Sequence, residues 1–546
     1  MPVINLNKNY LLELVSDGIT HEEVKSQLGK LGIGIEAESE DSISLEISAN
    51  RPDLLGAVGI ARALRNFMHK TKHYSYSVGE GEPELTIRVG RNVKSIRPFF
   101  SAIVVKNASL TEESVSDMMN FAEKFCETHG RSRKKLAIGI HDLGRVDAKS
   151  LAYDAYGDEY YIPLNKTAQM KYSEVISGEP KGIEYGWTIS NRKNLYPALK
   201  DSNGTLSLIP ILNSERTRIS QKTKDMLVDI TGTSEWLVKK TADMLACMFM
   251  DMKADVRKVR VISGNKERIF PEMSTGYITM QMYMAQAQIG VMIGPNNILS
   301  LANKMGYDAA AIGNKVRFRI PEYRLDVFNE QDVIEDIAIG YGYDYIQPLP
   351  IMAWQKGELE GNTKIAGSIS DIMTGMGFSE MMNSYLTNDE INYDKMMIKR
   401  SEDAARLKNP KARTINMMRT WLLPSLMKNL ALSVHEKMPQ RIYEYDMVFA
   451  VEKGMPKESY HLAAVSADPK SNFNYIKSVA EGMAYLLGLD MGVAKKEHKS
   501  FIEGRCASIL LGKKEIGFFG ELHPEVLANF GIEEPVTAME LELQAK

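Results

Sequence analysis

The sequence has little of what marks several large classes of protein. Its three cysteines, Cys126, Cys247 and Cys506, lie far apart and form no C-x-x-C pair. Neither a disulfide framework nor a structural zinc site is therefore expected. No stretch approaches the run of about 18 apolar residues that a membrane span needs, and the first residues lack the layout of a signal peptide. These absences favour a globular protein of the reducing cytoplasm, with no membrane partner.

An excess of charge of one sign is also lacking. The 546 residues include 67 Lys and Arg against 70 Asp and Glu, which gives a net charge of -3, and 44% of the residues are hydrophobic. This balance excludes binding of nucleic acid through a global basic field, so such a partner needs a local patch. We expect no DNA partner. At about 100–200 residues per domain, the length predicts three to five domains.

The chain reads as four regions, each of which mixes helical and strand periodicity, with linker-like stretches at residues 74–84 and 348–361. The clearest local signals are a capping box at Thr20–Glu23, a helix over Glu112–Thr128 and a strand over Leu136–His141. The sequence thus predicts an α+β multidomain fold. The predicted regions are an N-terminal α+β module at 1–92, a mixed α/β region at 93–268, a small region at 270–347 and a last region at 350–546.

One segment near the end of the third region is strongly acidic. Residues 325–355 hold six carboxylates and no Lys or Arg. On the helix predicted there, Asp332, Glu335 and Asp336 share one face within a single turn. Asp326 precedes the helix closely enough to join them. We call Asp326, Asp332, Glu335 and Asp336 the acidic cluster.

Several explanations fit this crowding of like charge. Carboxylates in the first turn of a helix complement its dipole by about 0.3–1 kcal/mol each, which accounts for one or two of them. Three on one face, with a fourth nearby, repel one another, and we expect no local cation to offset them. A Mg²⁺ ion held by carboxylate oxygens and water would remove the repulsion, as would an Arg or Lys from another chain. The residues alone leave an ion, a foreign cation and a solvated acidic face open.

The same segment resembles a known family. The patterns P-x-Y-R-x-D-V and D-V-I-E-D-I-A-I-G-Y-G-Y-D-x-I, within residues 321–346, are similar to the β subunit of archaeal-type phenylalanyl-tRNA synthetases. The resemblance implies that the acidic cluster binds magnesium at the contact with the α subunit. Further blocks that carry the resemblance lie in order along the chain, at residues 50–64, 131–146, 210–220, 419–430 and 519–532.

The resemblance implies a heterotetramer of two α and two β chains that attaches phenylalanine to its tRNA using ATP. It also implies that the last region copies the antiparallel fold of class II synthetases. A class II site needs an arginine after its motif-two strand and another in a late G-x-G-x-x-R element. The strand predicted over Arg441–Val451 lacks the first, the C-terminal stretch lacks the second, and no P-loop pattern is present. We therefore predict a catalytically inert region, with Arg419 and Arg441 structural or interfacial and the ATP site on α.

The resemblance further implies that the second region hydrolyses mischarged tyrosyl-tRNA. A pocket for phenylalanine discriminates weakly against an analogue that only adds a hydroxyl, so a second, hydrolytic site is needed. His141 ends a predicted strand, while Glu215 follows another and could accept the tyrosyl hydroxyl, with Asn213 as its neighbour. A histidine satisfied by local backbone and an exposed loop carboxylate are the alternatives. We predict that the protein orients a water molecule for attack on the ester.

A short basic stretch precedes the strand that ends at His141. It is a candidate contact for the tRNA backbone, and a solvated basic turn explains it equally well. Three functions remain open: a synthetase β subunit with editing activity, a scaffold or RNA-binding protein that lost editing, and a free-standing hydrolase of mischarged tRNA. The residues of the basic stretch are Arg131, Arg133, Lys134 and Lys135.

Overall fold

The computed structural model describes residues 2–16, 18–69, 76–189, 194–352, 356–410, 412 and 414–543. The chain divides into two compact units, Met1–Pro350 and Ile351–Lys546. This division lies at the last boundary predicted from the sequence, whereas the three regions predicted before it share one unit. The several sheets and helices confirm the predicted mixed, multidomain class. Within the described ranges, no helix is both long and apolar enough to cross a membrane.

The first unit begins with a three-stranded sheet of order β1-β3-β2, covered by helices. The predicted capping box is confirmed: the Thr20 hydroxyl accepts from the Glu23 N–H, and the Glu23 carboxylate accepts from the Thr20 N–H at 2.9 Å. The elements are β1 (Val3–Asn7), α1 (Lys8–Val15), α2 (His21–Lys30), β2 (Gly34–Glu38), β3 (Ser42–Glu46) and α3 (Ala57–Phe67).

The second region contains a seven-stranded sheet of order β12-β11-β10-β7-β4-β15-β16 and a four-stranded sheet of order β14-β5-β13-β6. The elements are β4 (Leu85–Val89), β5 (Phe99–Lys106), α4 (Glu112–Glu127), β6 (Leu136–Asp142), β7 (Ala152–Tyr156), β8 (Tyr160–Tyr161), β9 (Met170–Lys171), α5 (Tyr172–Gly178), α6 (Pro180–Tyr185), β10 (Tyr196–Asp201), β11 (Gly204–Leu208), β12 (Leu212–Asn213), β13 (Met226–Gly232), α7 (Glu235–Asp251), β14 (Asp255–Arg257), β15 (Val259–Ser263) and β16 (Lys266–Phe270).

Two predicted boundaries need correction. Strand β4 pairs in parallel with β15 and β7, so the larger sheet begins before the boundary predicted at residue 92. The boundary predicted at residue 268 falls inside β16. Both errors arise because pairing between strands far apart in sequence leaves no local signal.

The N-terminal module and the second region also share one hydrophobic core, which includes Ile4, Val104 and Phe249. A buried polar contact joins them as well. Asp251, at the end of α7, lies 2.7 Å from Arg62 Nη1 of α3 and accepts from the Tyr76 hydroxyl at 2.8 Å. Because the core and this ion pair are common to both, the two regions form a single packing unit.

The third region is a three-stranded antiparallel sheet of order β17-β19-β18 against three helices. Val316 and Phe318 of β19 are buried against these helices, in keeping with the alternation of apolar and basic residues along that strand. The elements are β17 (Tyr277–Gln281), α8 (Met282–Ile289), α9 (Pro295–Lys304), β18 (Asp308–Ile312), β19 (Lys315–Arg319) and α10 (Glu330–Tyr341).

The second unit is built on a seven-stranded sheet of order β20-β23-β24-β28-β27-β26-β25, antiparallel except for the pairing of the short β20 with β23. Separate apolar clusters lie under α11 with α13 and under α12 with α14. The elements are α11 (Gly361–Gly375), β20 (Ser379–Glu380), β21 (Leu386–Thr387), β22 (Met417–Met418), α12 (Leu423–Leu432), β23 (Gln440–Glu452), β24 (Met455–Ala467), α13 (Phe473–Leu486), β25 (Met491–Lys495), β26 (Phe501–Leu511), β27 (Lys514–Leu522), α14 (Pro524–Phe530) and β28 (Val536–Glu542).

Candidate functional site

The acidic cluster lines one cavity of about 600 Å³ in the first unit, between α10 and the N-terminal module. The sequence prediction that its four carboxylates lie together therefore agrees with the geometry. Two arginines, Arg51 and Arg324, line the same cavity. The cluster is thus not the purely acidic surface that its sequence segment suggests.

Arg324 neutralises half of the cluster. Its guanidinium donates to both oxygens of Asp326, at 2.8 and 2.7 Å, and its Nη1 lies 2.8 Å from Asp336 Oδ2. Burial by itself lowers the pKa of Arg324, but the carboxylates of Asp336 and Asp326 outweigh it and raise that pKa well above its usual value. The hydroxyl of Tyr307 also donates to Asp336. The expectation that no nearby cation offsets the cluster is therefore wrong, because Arg324 lies just before the acidic segment.

The other two members of the cluster have different surroundings. Asp332 Oδ2 accepts from the backbone N–H groups of Phe328, at 2.7 Å, and Asn329, at 3.0 Å. Asn329 in turn caps the first N–H groups of α10, so the pair forms a capping box. Glu335 is exposed. Part of the acidic pattern thus serves to start a helix.

The side chains of the acidic cluster, as they are arranged here, are poorly placed to bind a resident Mg²⁺ ion. In the part of the chain that the structure describes, no three Asp, Glu, His or Cys side chains are grouped so that they could hold a metal ion. Two of the four carboxylates pair with Arg324, and a third caps α10. An ion would have to displace Arg324 before these oxygens could coordinate it.

A second, smaller cavity of about 220 Å³ lies in the second region, beside α4 and β13. We call it the Asp229 cavity. Of the three editing candidates, only Asn213 lines it. The Asn213 side chain accepts from the Ser207 hydroxyl at 2.9 Å and donates to the carbonyl of Ile140 at 3.3 Å, which fixes its orientation.

Asp229 is the most unusual group in this cavity. It is only 2% exposed, and its Oδ1 lacks a hydrogen-bond partner among the described residues. Close approach to β6 is possible because residue 139 is a glycine: a Cβ there would lie 2.4 Å from Asp229 Oδ2. A buried carboxylate oxygen without a partner is costly in a folded protein, and such groups mark functional sites.

Asp229 and its neighbour Thr231 were missed in the sequence analysis. Both line the cavity from β13, whose seven residues are all buried. A carboxylate within a strand of otherwise buried residues is the signal that could have found Asp229, because such residues are seldom fully buried without a function or a partner.

The other two editing candidates do not line the cavity. His141 is fully buried, with its Nδ1 2.9 Å from the Thr217 hydroxyl and its Nε2 3.9 Å from Asp229 Oδ1. It lies behind Asp229. Glu215 accepts from the backbone N–H of Asn165 at 2.8 Å and pairs with Arg218 at 3.1 Å. The alternative interpretation of Glu215 as a loop carboxylate fits this geometry better than a role in the cavity.

Arg133 points inward from the basic stretch and forms part of the cavity wall. Its Nη1 donates to the carbonyls of Pro210 and Ile211, at 3.0 and 2.9 Å, and its Nη2 donates to Glu123 at 2.5 Å. These contacts occupy the guanidinium and argue against the predicted contact with a phosphate. Arg131 and Lys134 are exposed, and Lys135 is half-buried.

In the second unit, Arg419 is fully buried. Its Nη1 lies 2.5 Å from Glu444 and its Nη2 lies 3.1 Å from Asp446, while its Nε donates to the carbonyl of Met447 at 2.9 Å. These contacts agree with a structural role. Arg441 stacks over the ring of Tyr475 at 5.2 Å.

Three family models match the chain. They describe the "Phe-tRNA synthetase beta subunit B1 domain" over residues 1–70, the "tRNA synthetase B5 domain" over 278–343 and the "Phenylalanyl tRNA synthetase beta chain CLM domain" over 347–543. The phenylalanine–tRNA ligase β subunit of Methanocaldococcus jannaschii is 34% identical over 556 residues, with 100% of both chains covered. The chain belongs to the phenylalanine–tRNA ligase β-subunit family.

Two further relatives support this membership. The phenylalanine–tRNA ligase β subunit of Archaeoglobus fulgidus is 34% identical, with 100% of this chain and 98% of the relative covered. The crystal structure of an N-terminal fragment of the phenylalanyl-tRNA synthetase β subunit from Pyrococcus horikoshii is similar with a TM-score of 0.60 and 28% identity. It covers 63% of this chain and 100% of the fragment.

The resemblance inferred from the acidic segment and the ordered blocks is confirmed. Membership of the phenylalanine–tRNA ligase β-subunit family implies an α subunit and a tRNA as partners. Residues 71–277, which contain the Asp229 cavity, lie between the first and second of these matched regions. The chemistry of that cavity therefore has to be argued from its own residues.

Proposed function

We propose that this β subunit joins an α subunit to attach phenylalanine to its tRNA with ATP, and that its own chemistry is hydrolytic editing. Aminoacylation takes place on α, since the last region of β lacks the expected arginines. Editing of tyrosyl-tRNA takes place in the Asp229 cavity. The observation that carries this proposal is the buried carboxylate of Asp229, which lines a small cavity and whose Oδ1 has no hydrogen-bond partner among the described residues.

The cavity suits an amino-acid side chain. Its volume of about 220 Å³ lies below the range of about 300–1,000 Å³ typical of sites for larger ligands. A phenol that enters it meets an unpartnered acceptor in Asp229 Oδ1. Phenylalanine would leave that acceptor unpaired, at a cost of about 1–3 kcal/mol. The cavity therefore favours tyrosine over phenylalanine by about 5- to 150-fold, which is the discrimination that an editing site needs.

The remaining groups orient the substrate. The hydroxyls of Ser207 and Thr231 and the amide of Asn213 lie around the same cavity and can hold a water molecule or the ester. No nucleophilic side chain is required, because a water positioned close to the ester carbonyl gains much of the rate that orientation provides. His141 acts behind Asp229, as a positioning residue.

Replacing Asp229 by leucine tests the proposal. Leucine has the same branching at Cγ as aspartate and replaces the carboxylate oxygens, one of them without a hydrogen bond, by methyl groups, so the variant should fold. With α present, deacylation of tyrosyl-tRNA should slow at least tenfold while phenylalanine charging stays unchanged. Glu215→Ala, outside the cavity, is the matched control and should deacylate at the parent rate. Normal editing by Asp229→Leu would remove this cavity from the reaction and favour a β subunit that serves as a scaffold.

Three other features remain part of the proposal. Magnesium binding by the acidic cluster stays a prediction, and it requires Arg324 to release Asp326 and Asp336. The assembly of two α and two β chains and the cytoplasmic location also stay predictions. Sedimentation of the co-expressed subunits would test the assembly directly. A free-standing hydrolase is disfavoured, because the chain matches β subunits over its full length.

A further inference from the structure

A third cavity, of about 500 Å³, lies in the second region and shares no lining residue with the Asp229 cavity. It opens on the edge strand of the seven-stranded sheet, β16, and is bounded on another side by the start of α7. Lys266, Arg268 and Phe270 alternate along β16 and so share the face that lines it. We call this the basic cavity.

Four cations and one carboxylate line the basic cavity. Arg268 lies 2.5 Å from that carboxylate, Glu235, and Lys239 pairs with Glu272. Neither Lys94 nor Lys266 has an ion pair or a side-chain hydrogen bond within the described residues. Lys94 Nζ reaches the turn between β15 and β16, since it lies 3.9 Å from where a Cβ of Gly264 would be. Two unpaired ammonium groups therefore flank one opening.

The floor of the basic cavity is apolar. The rings of Phe99 and Phe270 and the side chains of Val238 and Val261 contribute to its lining. Its volume falls within the range of about 300–1,000 Å³ that small-ligand sites occupy. A ligand that fits needs a flat or apolar body together with negative charge at the rim. A run of acidic residues, such as polyglutamate, offers the charge but not the body.

We propose that the basic cavity binds a nucleoside phosphate, with the base against the half-buried ring of Phe99 and the phosphate between Lys94 and Lys266. Nucleic-acid-binding proteins combine aromatic side chains that stack on bases with cations that hold the backbone. The nucleotide belongs either to an unpaired segment of RNA or to a free mononucleotide. Binding here is independent of editing, because the two cavities share no residue.

Direct binding to the full chain tests this site. The measurement uses the chain without its α subunit, so that the aminoacylation site adds no nucleotide binding. One probe is a fluorescent single-stranded RNA of about six nucleotides, within the site sizes of single-strand binders. The other is AMP, added as a competitor. The test variant is Lys94→Gln with Lys266→Gln, and the matched control is Lys149→Gln with Lys222→Gln, exposed lysines of the same region.

The charge variant should bind the RNA at least tenfold more weakly than the parent, and the control should bind it normally. The slope of log affinity against log salt concentration should fall by about 0.7 for each phosphate that the variant no longer neutralises. A second variant, Ser263→Trp, fills the cavity from β15 and leaves its charges in place. It should weaken binding without changing that slope.

The probes also identify the source of the nucleotide. Binding of RNA without competition by AMP supports an RNA strand, and competition by micromolar AMP supports a free nucleotide. Equal RNA binding by the parent and the charge variant would overturn the proposal. So would equal competition by polyglutamate, since charge alone would then explain binding. Tyrosyl-tRNA deacylation should be normal in the charge variant, so failure here and failure of the editing proposal are distinguishable.

Discussion

Replacement of Arg324 by methionine tests whether this guanidinium, rather than a metal ion, neutralises the acidic cluster. Methionine keeps much of the apolar stem of arginine but removes the charge and its fork of donors. Asp326 and Asp336 then lose their cationic partner, while Tyr307 still donates to Asp336. The variant therefore leaves two neighbouring carboxylates without a counter-charge.

The magnitude follows from burial. The side chains of Arg324, Asp326 and Asp336 are 2%, 8% and 6% exposed, so water replaces the missing partner only poorly. Removing one partner of a buried ion pair costs about 3–5 kcal/mol. At about 2 °C per kcal/mol, the low end for domains of 150–250 residues, we expect the first unit to unfold about 6–10 °C earlier.

Thermal unfolding, together with hydrogen exchange in α10, measures this destabilisation. The matched control is Arg317→Met, because Arg317 is an exposed arginine of the same region whose guanidinium stacks over Tyr277 at 4.0 Å. Replacing Arg317 should lower the free energy of unfolding by about 1 kcal/mol or less. Equal destabilisation of the two variants would refute the reasoning, since it would mean that Arg324 contributes no more than a surface residue.

Addition of Mg²⁺ then distinguishes neutralisation of the acidic cluster by Arg324 from neutralisation by a metal ion. An ion that binds only the folded chain stabilises it, by about 2.7 kcal/mol at 100 times its Kd. We expect millimolar Mg²⁺ to recover part of the stability that Arg324→Met loses and to leave the parent nearly unchanged, because only the variant frees Asp326 and Asp336 from their arginine. Equal stabilisation of the parent would show that the ion displaces Arg324.

Three further predictions follow from other contacts. Burial raises the pKa of Asp117 to about 6, although its carboxylate accepts from the Ala57 N–H at 2.9 Å. The folded state therefore binds the proton of Asp117 more tightly than the unfolded state does. The free energy of unfolding should fall by about 3 kcal/mol as pH rises from about 4 to 6. Asp117→Asn should remove this dependence when unfolding is measured as a function of pH. Asp332→Ala should cost about 1 kcal/mol in denaturant unfolding because the capping box is broken, whereas Glu335→Ala should be nearly neutral. Arg133→Met should slow tyrosyl-tRNA deacylation and lower the free energy of unfolding by about 1–3 kcal/mol, because two carbonyls lose their donor. Lys134→Met, the control, should leave both measurements unchanged.

Local signals in the sequence predicted local structure well. The capping box at Thr20, the helix that begins after Asn329 and the strand that ends near His141 all depend on residues within a few positions of one another. The acidic cluster also lies together as predicted. Such features are encoded by periodicity and caps, which a single sequence displays.

What the sequence could not show is which distant groups meet. Arg324 lies one residue outside the acidic segment, and nothing in its spacing indicates that it folds back onto both Asp326 and Asp336. Asp229 and Asn213 come from strands of two different sheets and are brought together only by the packing of those sheets. The unpaired oxygen of Asp229 becomes visible only when every neighbour is in place. Sites formed by tertiary contacts are therefore where prediction from the sequence stopped.

The buried contact between Asp251 and the N-terminal module has a consequence for dissecting the molecule. A fragment that starts at residue 93 would keep Asp251, whose side chain is 3% exposed, and lose both Arg62 and Tyr76. It would also expose the apolar surface that the two regions share. The smallest piece suited to separate expression, or to exchange between relatives, therefore runs from the start of the chain to about residue 350. Exchange of the second region between relatives would therefore have to include the N-terminal module.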